Sequence, residues 1–322
     1  MKAAVVSAFG ASKNIQIIND YPLPLIKDDE VLVEVKFAGL NPVDTYIRSG
    51  QYAALPKLPY IPGREGSGIV SEIGEKCPLK LSIGDRVWFS SPLTGSCAEY
   101  CAAKFVFRVP DNCGLKESAT LGIAYATAYR SLFLKAHLKE EDVVLIHGGS
   151  GGVGVAAIQL AKSVGAIVIG TAGSEEGLKM MVELGCQDTF DHTTADYISL
   201  IKQKYPAGFN VIIEMLANAN LNNDLDLIGK KGTIVVVGNR GQTTIDARRL
   251  MAKESILTGV GLAHSTDQEL IEMGNALTSH LKEKTICPKV SHVFELEKLS
   301  AAHDTIMDNN VTKTGKIVIQ IM

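Results

Sequence analysis

The chain has 322 residues, with 35 Asp and Glu against 32 Lys and Arg and a net charge of -3. That length suits two domains, each with its own core, and so even a charge balance excludes any global attraction to nucleic acid or to an anionic membrane surface. No run approaches the roughly 18 apolar residues of a membrane helix, and six cysteines at 77, 97, 101, 113, 186 and 287 form neither a CxxC pair nor an even framework, so a soluble, cytoplasmic protein acting on a small molecule is expected.

The first third reads as β-rich and irregular. In "EVLVEVKFAGL", Val31, Val33, Val35 and Phe37 fall on one side and Glu34 and Lys36 on the other, the period of a half-buried strand. In the next segment, "NPVDTYIRSG", Asn41 suits an N-cap, Pro42 the first helical position and Asp44 the first turn, with Asp44 and Arg48 at i,i+4. "LPKLPYIPGREGSG" is dense in turn residues, and "SIGDRVWF" and "AEYCAAKFVFRVP" read as short strands, so an antiparallel barrel is expected with Cys97 and Cys101 structural. From about residue 120 helix and strand alternate. Parallel strands are expected at 143–147, 167–171, 211–214, 233–237 and 255–260, with a further one before "FDHT". After the polar helix near "DQELIEMGNALTSHLKEK", the tail "TGKIVIQIM" is strand-like and can rejoin the first domain. The expected division is therefore 1–119 with 285–322, and 120–284.

"VVLIHGGSGGVG" carries G-x-G-x-x-G from Gly149 to Gly154, between an apolar strand and the helix "VGVAAIQLAKSVG". Alone the pattern is weak; in this context the backbone can approach a pyrophosphate lying on the helix N-terminus. Where an acid at the end of the second strand would bind the ribose 2'-hydroxyl, the chain has Thr171-Ala172-Gly173. That permits a 2'-phosphate, and Lys179, His192 and Arg240 are the basic groups near enough in the pattern to receive it.

The order of a barrel-like first domain, "HGGSGGVG", "GTAGSEEG", "VIIEMLANANL" and "VVVGNRG" resembles the medium-chain dehydrogenase/reductase superfamily, and "GLNPVDTYIRSGQY", "AYATAYRSL" and "MAKESILTGV" are similar to its zeta-crystallin, NADPH:quinone oxidoreductase branch. The likeness covers essentially the whole chain. It implies a GroES-like catalytic domain, a doubly wound Rossmann domain and a nicotinamide held in the cleft between them. It places Tyr46 beside the nicotinamide, with Asn41 and Arg48 in the same catalytic segment. Ser150, Gly151, Gly152 and Val153 fall on the pyrophosphate, Gly173 and His192 near the adenosine end, where Lys179 lies by its place in the next helix, and Asn220, Val237, Gly238, Asn239 and Arg240 in loops along the cofactor. Val260, Gly261 and Leu262 would hold the carboxamide, and Thr127 would face the nicotinamide region.

Zinc-dependent members of the superfamily place a Cys where Asn41 stands and a His where Arg64 stands, and the four-cysteine lobe after "GDRV" is missing here. No zinc is expected. Without a Lewis acid to polarise a carbonyl, the acceptor must take reducing equivalents readily, as quinones do. The resemblance thus implies an NADPH-dependent quinone reductase, homodimeric or homotetrameric. Its alternatives are an alkenal or enone reductase and, in a different class, an AU-rich RNA binder or structural protein, although no basic stripe or RNP-like aromatic motif supports RNA.

Overall fold

Two sequence periods build two kinds of sheet. The structure, a computed structural model, describes residues 1–308 and 310–322. The chain divides into two units, Met1–Ala124 with Asp267–Met322, and Tyr125–Thr266. The helix of "DQELIEMGNALTSHLKEK" falls in the first of them.

In the first unit the strands are β1 (Ala3–Val6), β2 (Ile15–Ile18), β3 (Val31–Leu40), β4 (Glu65–Ile73), β5 (Arg86–Ser90), β6 (Tyr100–Ala103) and β7 (Phe105–Arg108), with helices α1 (Pro42–Ser49) and α2 (Leu115–Ser118). The alternation of β3 holds for its first half: Val31, Val33 and Val35 are fully buried and Glu34 is not. Leu32 is buried as well, and Phe37 only half-buried; the register against β4 slips between Leu32 and Val33 and again between Val35 and Phe37. Cys97 and Cys101 lie in this core beside Val33 and Phe89. Burial pushes both thiols up, which leaves them unreactive.

The second unit alternates β8 (Val143–Ile146), β9 (Ile167–Ala172), β10 (Asp188–Asp191), β11 (Phe209–Glu214), β12 (Ile228–Val236) and β13 (Ile256–Gly259) with helices α3 (Ala126–Tyr129), α4 (Gly152–Ser163), α5 (Glu175–Glu183), α6 (Tyr197–Lys204), α7 (Ala217–Leu227) and α8 (Arg248–Lys253). Its sheet is parallel in the order β10-β9-β8-β11-β12-β13, which places the strand reversal between β8 and β11. Ligands bind such sheets at the carboxyl ends of the strands beside that switch point. Strand β12 begins five residues earlier than its apolar run, at Ile228, and passes through Lys231 in the left-handed region (φ +60°). Two π-helical stretches, Leu121–Tyr125 and Arg130–Lys135, flank α3 where "AYATAYRSL" shows only helical propensity.

The chain then returns to the first unit through α9 (Asp267–Lys282), β14 (Val290–Glu295), α10 (Leu299–Met307) and β15 (Lys316–Gln320). Strand β15 lies between β14, to which it is parallel, and β3, to which it is antiparallel. The first unit is the expected β-rich one, and the second carries the expected doubly wound parallel sheet.

Candidate functional site

In the second unit the turn after β8 is built for an anion. Gly148 takes φ +57°, and a Cβ on Gly154 would stand 2.3 Å from the Gly148 carbonyl oxygen, so the loop lies tightly on the first turn of α4. The helix starts from Gly151, which has no side chain to cap it. Among the described residues, nothing accepts the N–H groups of Ser150, Gly152 and Val153. Three unpaired donors at a helix N-terminus, where the dipole is positive, fit a dinucleotide pyrophosphate.

The remaining expected cofactor residues fall around the same strand ends. Gly173 leaves β9, and a Cβ there would meet His192 Nε2 at 2.6 Å, so these two residues are neighbours. His192 is held below its ordinary pKa by burial and then by the facing His147. Lys179 and Arg240 are exposed, and Arg240 N–H donates to Asn218 Oδ1 at 2.9 Å. Asn220 is turned inward, its Nδ2 donating to Glu214 Oε1 at 3.4 Å while its Oδ1 accepts from the Tyr197 hydroxyl at 3.4 Å. The loop Val237 to Arg240 is stitched to β11: Val237 N–H donates to Glu214 O at 2.8 Å and Gly238 O accepts from Ala217 N–H at 3.0 Å. Asn239 Nδ2 donates within this loop to Gly241 O. Val260 N–H donates to Val236 O at 3.0 Å and starts the short turn through Gly261 and Leu262. Thr127 is half-buried on α3, with its carbonyl accepting from Ser131 Oγ.

In the first unit, α1 carries the three expected catalytic residues and separates their roles. Tyr46 is half-buried, and among the described residues its hydroxyl has no hydrogen-bond partner. Arg48 is 8% exposed and donates from Nη1 to Gly10 O at 2.6 Å, so it ties α1 to the turn after β1. Asp44 does not pair with Arg48. Its Oδ2 instead accepts the Asn41 N–H at 2.8 Å, and burial pushes its carboxyl up to about 6 against the opposing effect of that bond.

Asn41 is engaged on both atoms of its amide. Nδ2 donates to Glu65 Oε1 at 2.8 Å, and Oδ1 accepts from Lys316 Nζ at 2.5 Å. The same ammonium donates to Glu65 Oε1 at 2.7 Å and Leu40 O at 2.8 Å, while Glu65 Oε2 accepts Ile123 N–H at 2.7 Å. Glu65 is fully buried and Lys316 is 5% exposed. A buried ammonium on the two residues nearest the expected metal position, with Arg64 adjoining, is a donor set that repels Zn²⁺ instead of binding it. Sequence reasoning missed Lys316, whose only signal is a single cation inside the apolar strand "KIVIQ".

Beside α1 opens a cavity of about 680 Å³ whose lining includes Asp44, Ile47, Leu55, Tyr60, Arg64 and Leu93. Its walls are stiffened by Pro22, Pro24, Pro56, Pro59, Pro62 and Pro92. The Tyr60 hydroxyl is buried without a partner. Tyr46 is not among the lining residues; α1 faces this space through Asp44 and Ile47.

Comparison with known proteins identifies the family and the fold. Residues 27–134 match the alcohol dehydrogenase GroES-like domain and residues 152–278 the zinc-binding dehydrogenase domain. The quinone oxidoreductases of Homo sapiens and Pongo abelii are each 41% identical over 323 residues, covering 99% of this chain and 97% of theirs. The Escherichia coli quinone oxidoreductase solved with NADPH superposes with a TM-score of 0.88 at 26% identity, covering both chains completely. Matches to both domain models and 41% identity along nearly the whole length lead to one conclusion: the chain belongs to the quinone oxidoreductase family of the medium-chain dehydrogenases/reductases.

Proposed function

We propose that this protein is an NADPH-dependent quinone reductase that works without a metal, with ortho-quinones as a substrate class. The observation that carries the reading is the Lys316 ammonium bonded to Asn41 and Glu65. It leaves no electrophilic metal to activate an isolated carbonyl, which favours an acceptor whose reduced oxygens are stabilised by aromatisation. NADPH, when bound, supplies the hydride. Ser150, Gly152 and Val153 hold its pyrophosphate through their N–H groups, and Gly173, Lys179, His192 and Arg240 receive the adenosine end. Thr127, Asn220, the loop from Val237 to Asn239 and the turn from Val260 to Leu262 line the remaining length. Tyr46 orients the quinone or nicotinamide with its unbonded hydroxyl, and Asn41 and Arg48 fix the helix that carries it.

The cavity beside α1, lined by Ile47, Leu55, Tyr60 and Leu93 but not by Tyr46, supports room in the first unit for an apolar part of a substrate. Strand β13 is an edge of its sheet with Ile256 56% exposed, which supports a homodimer or homotetramer testable by size-exclusion chromatography with light scattering. The decisive experiment is steady-state kinetics with an ortho-quinone and with a 2-alkenal, each with NADPH. Turnover of the quinone with a far lower kcat/KM for the alkenal is expected. The reverse order assigns the protein as a double-bond reductase.

A further inference from the structure

Three buried titratable side chains adjoin the glycine loop and have no part in the chemistry above. His147 follows β8, Glu214 ends β11 and Asp224 lies on α7, and they are 2%, 0% and 0% exposed. His147 Nε2 is 2.9 Å from Asp224 Oδ1 and 3.8 Å from Glu214 Oε2. One ring nitrogen or carboxylate oxygen from each lies within 4.8 Å of the other two. Among the described residues, Glu214 Oε2 and Asp224 Oδ2 are buried with no hydrogen-bond partner. Two carboxylates sealed from water beside one imidazole are strongly disfavoured as a net negative group. An imidazolium with one carboxylate and one carboxylic acid is neutral, and the extra proton satisfies the two orphaned oxygens.

This cluster is bonded to both cofactor loops. Thr171 Oγ1 lies 3.3 Å from His147 Nδ1 and accepts the Gly148 N–H at 3.3 Å, while the Thr171 carbonyl accepts the Gly149 N–H at 2.8 Å. On the other side Glu214 Oε1 accepts the Leu216 N–H and, at 3.4 Å, Asn220 Nδ2. Two more titratable groups face it: His192 at the end of β10, and Tyr197 on α6, whose hydroxyl donates to Asn220.

We propose that His147, Glu214 and Asp224 are positioning residues that share one exchangeable proton and, through Thr171 and Asn220, make NADPH binding by the glycine loop proton-linked. The inference rests on the reading of this unit as the NADPH site. Loss of the proton leaves a buried negative charge beside the phosphates, so binding the anionic cofactor draws the proton back. The pKa shifts agree in sign. Burial pushes Glu214 up to about 7, and His147 is raised because Asp224 and Glu214 outweigh its burial.

The test is isothermal titration calorimetry of the full chain with NADPH and with NADH, at about pH 6 to 8, in two buffers of different ionisation heat. Expected is uptake of a fraction of a proton near pH 7 with both nucleotides, which separates it from titration of the 2'-phosphate. The Kd should rise about threefold or more across the range. His192 is lowered, by burial first, and contributes little above pH 7. Glu214→Gln should abolish the uptake and flatten the pH profile. Thr171→Val removes only the hydroxyl link and should reduce uptake with folding intact by circular dichroism, which keeps the inference testable if the Gln variant does not fold. Binding without proton uptake, uptake unchanged in the variants, or a stoichiometric divalent ion found by elemental analysis overturns the inference alone. Failure of the wild type to bind either nucleotide overturns it together with the proposed function.

Discussion

Tyr46, Arg48 and Lys316 show how three side chains around one short helix divide chemistry from support. Tyr46 keeps an unbonded hydroxyl on a half-buried ring, so its loss should disturb alignment more than folding. Tyr46→Ala is expected to stay within a few degrees of the wild-type Tm, roughly the shift for about 1 kcal/mol in a chain this long. Its kcat/KM for an ortho-quinone should fall about tenfold or more, a loss near 1.4 kcal/mol; wild-type kinetics would make the residue packing only. Lys316→Met strands the buried Glu65 carboxylate without its cation and should destabilise by about 3 to 5 kcal/mol in urea titrations, with Lys316→Arg less damaging. On the proposed function, Thr171, Ala172 and Gly173 stand where an acid would bind the ribose, and burial lowers His192, so the charge that receives a 2'-phosphate is expected from Lys179 or Arg240. With charge-assisted bonds contributing roughly 1.5 to 3 kcal/mol, NADPH should bind at least about tenfold more tightly than NADH. Fluorescence titrations of Lys179→Ala and Arg240→Ala should show which of the two sustains the preference, and equal Kd values in the wild type would reject it.

At the scale of the element, α1 begins in a conflict between capping and burial. Asp44 closes the first turn by accepting the Asn41 N–H, yet burial holds its carboxyl near 6 when the unfolded value is 3.8. A raised folded pKa means the stabilisation is complete below the unfolded value and is lost as pH rises through the folded one. Asp44→Asn keeps an acceptor for the cap and removes the titration. The variant should match the wild type near pH 4 and exceed it in thermal stability at pH 7 and above, by up to about 3 kcal/mol. An unchanged gap across pH would show that the carboxyl ionises normally. The sequence exposed part of this helix and hid the rest. Asn41, Pro42 and Asp44 mark its start by local rules, but the i,i+4 spacing of Asp44 and Arg48 does not become a pair, because Asp44 turns back to the cap and Arg48 reaches Gly10, 38 residues earlier. The glycine loop and the six parallel strands were legible because their signals are contiguous. Lys316 with Glu65, 251 residues apart, and His147 with Asp224, 77 apart, were not, since no period or motif links positions brought together only by strand order.

For the whole molecule, the match to a zinc-binding dehydrogenase domain stands against a first unit with an amide, a guanidinium and an ammonium at the expected metal position. Purified enzyme should therefore carry no stoichiometric zinc and keep its rate in EDTA; one zinc per chain, with activity lost on its removal, would reverse the assignment. The parallel sheet of the second unit and the largely antiparallel strands of the first each follow from their own sequence period; the expected barrel is instead a seven-stranded sheet with a parallel β14–β15 pair and a separate β1–β2 pair. The exact point where one unit yields to the other was less legible, because α9 has the amphipathic look of a crossover helix yet falls in the first unit.

Strand β15 gives the chain a particular order of birth. The second unit is one continuous stretch, 125–266, whereas the first has its β15 wedged between β3 and β14, after the whole of the second unit in chain order. Strand β3 is made early, and its Phe37–Leu40 edge has no strand partner until, some 275 residues after Asn41, Lys316 arrives with β15 to bond Asn41 and Glu65. The middle of the polypeptide can thus settle while its beginning is still waiting, and nascent chains stalled before β15 are the ones a chaperone should find with an unsealed sheet.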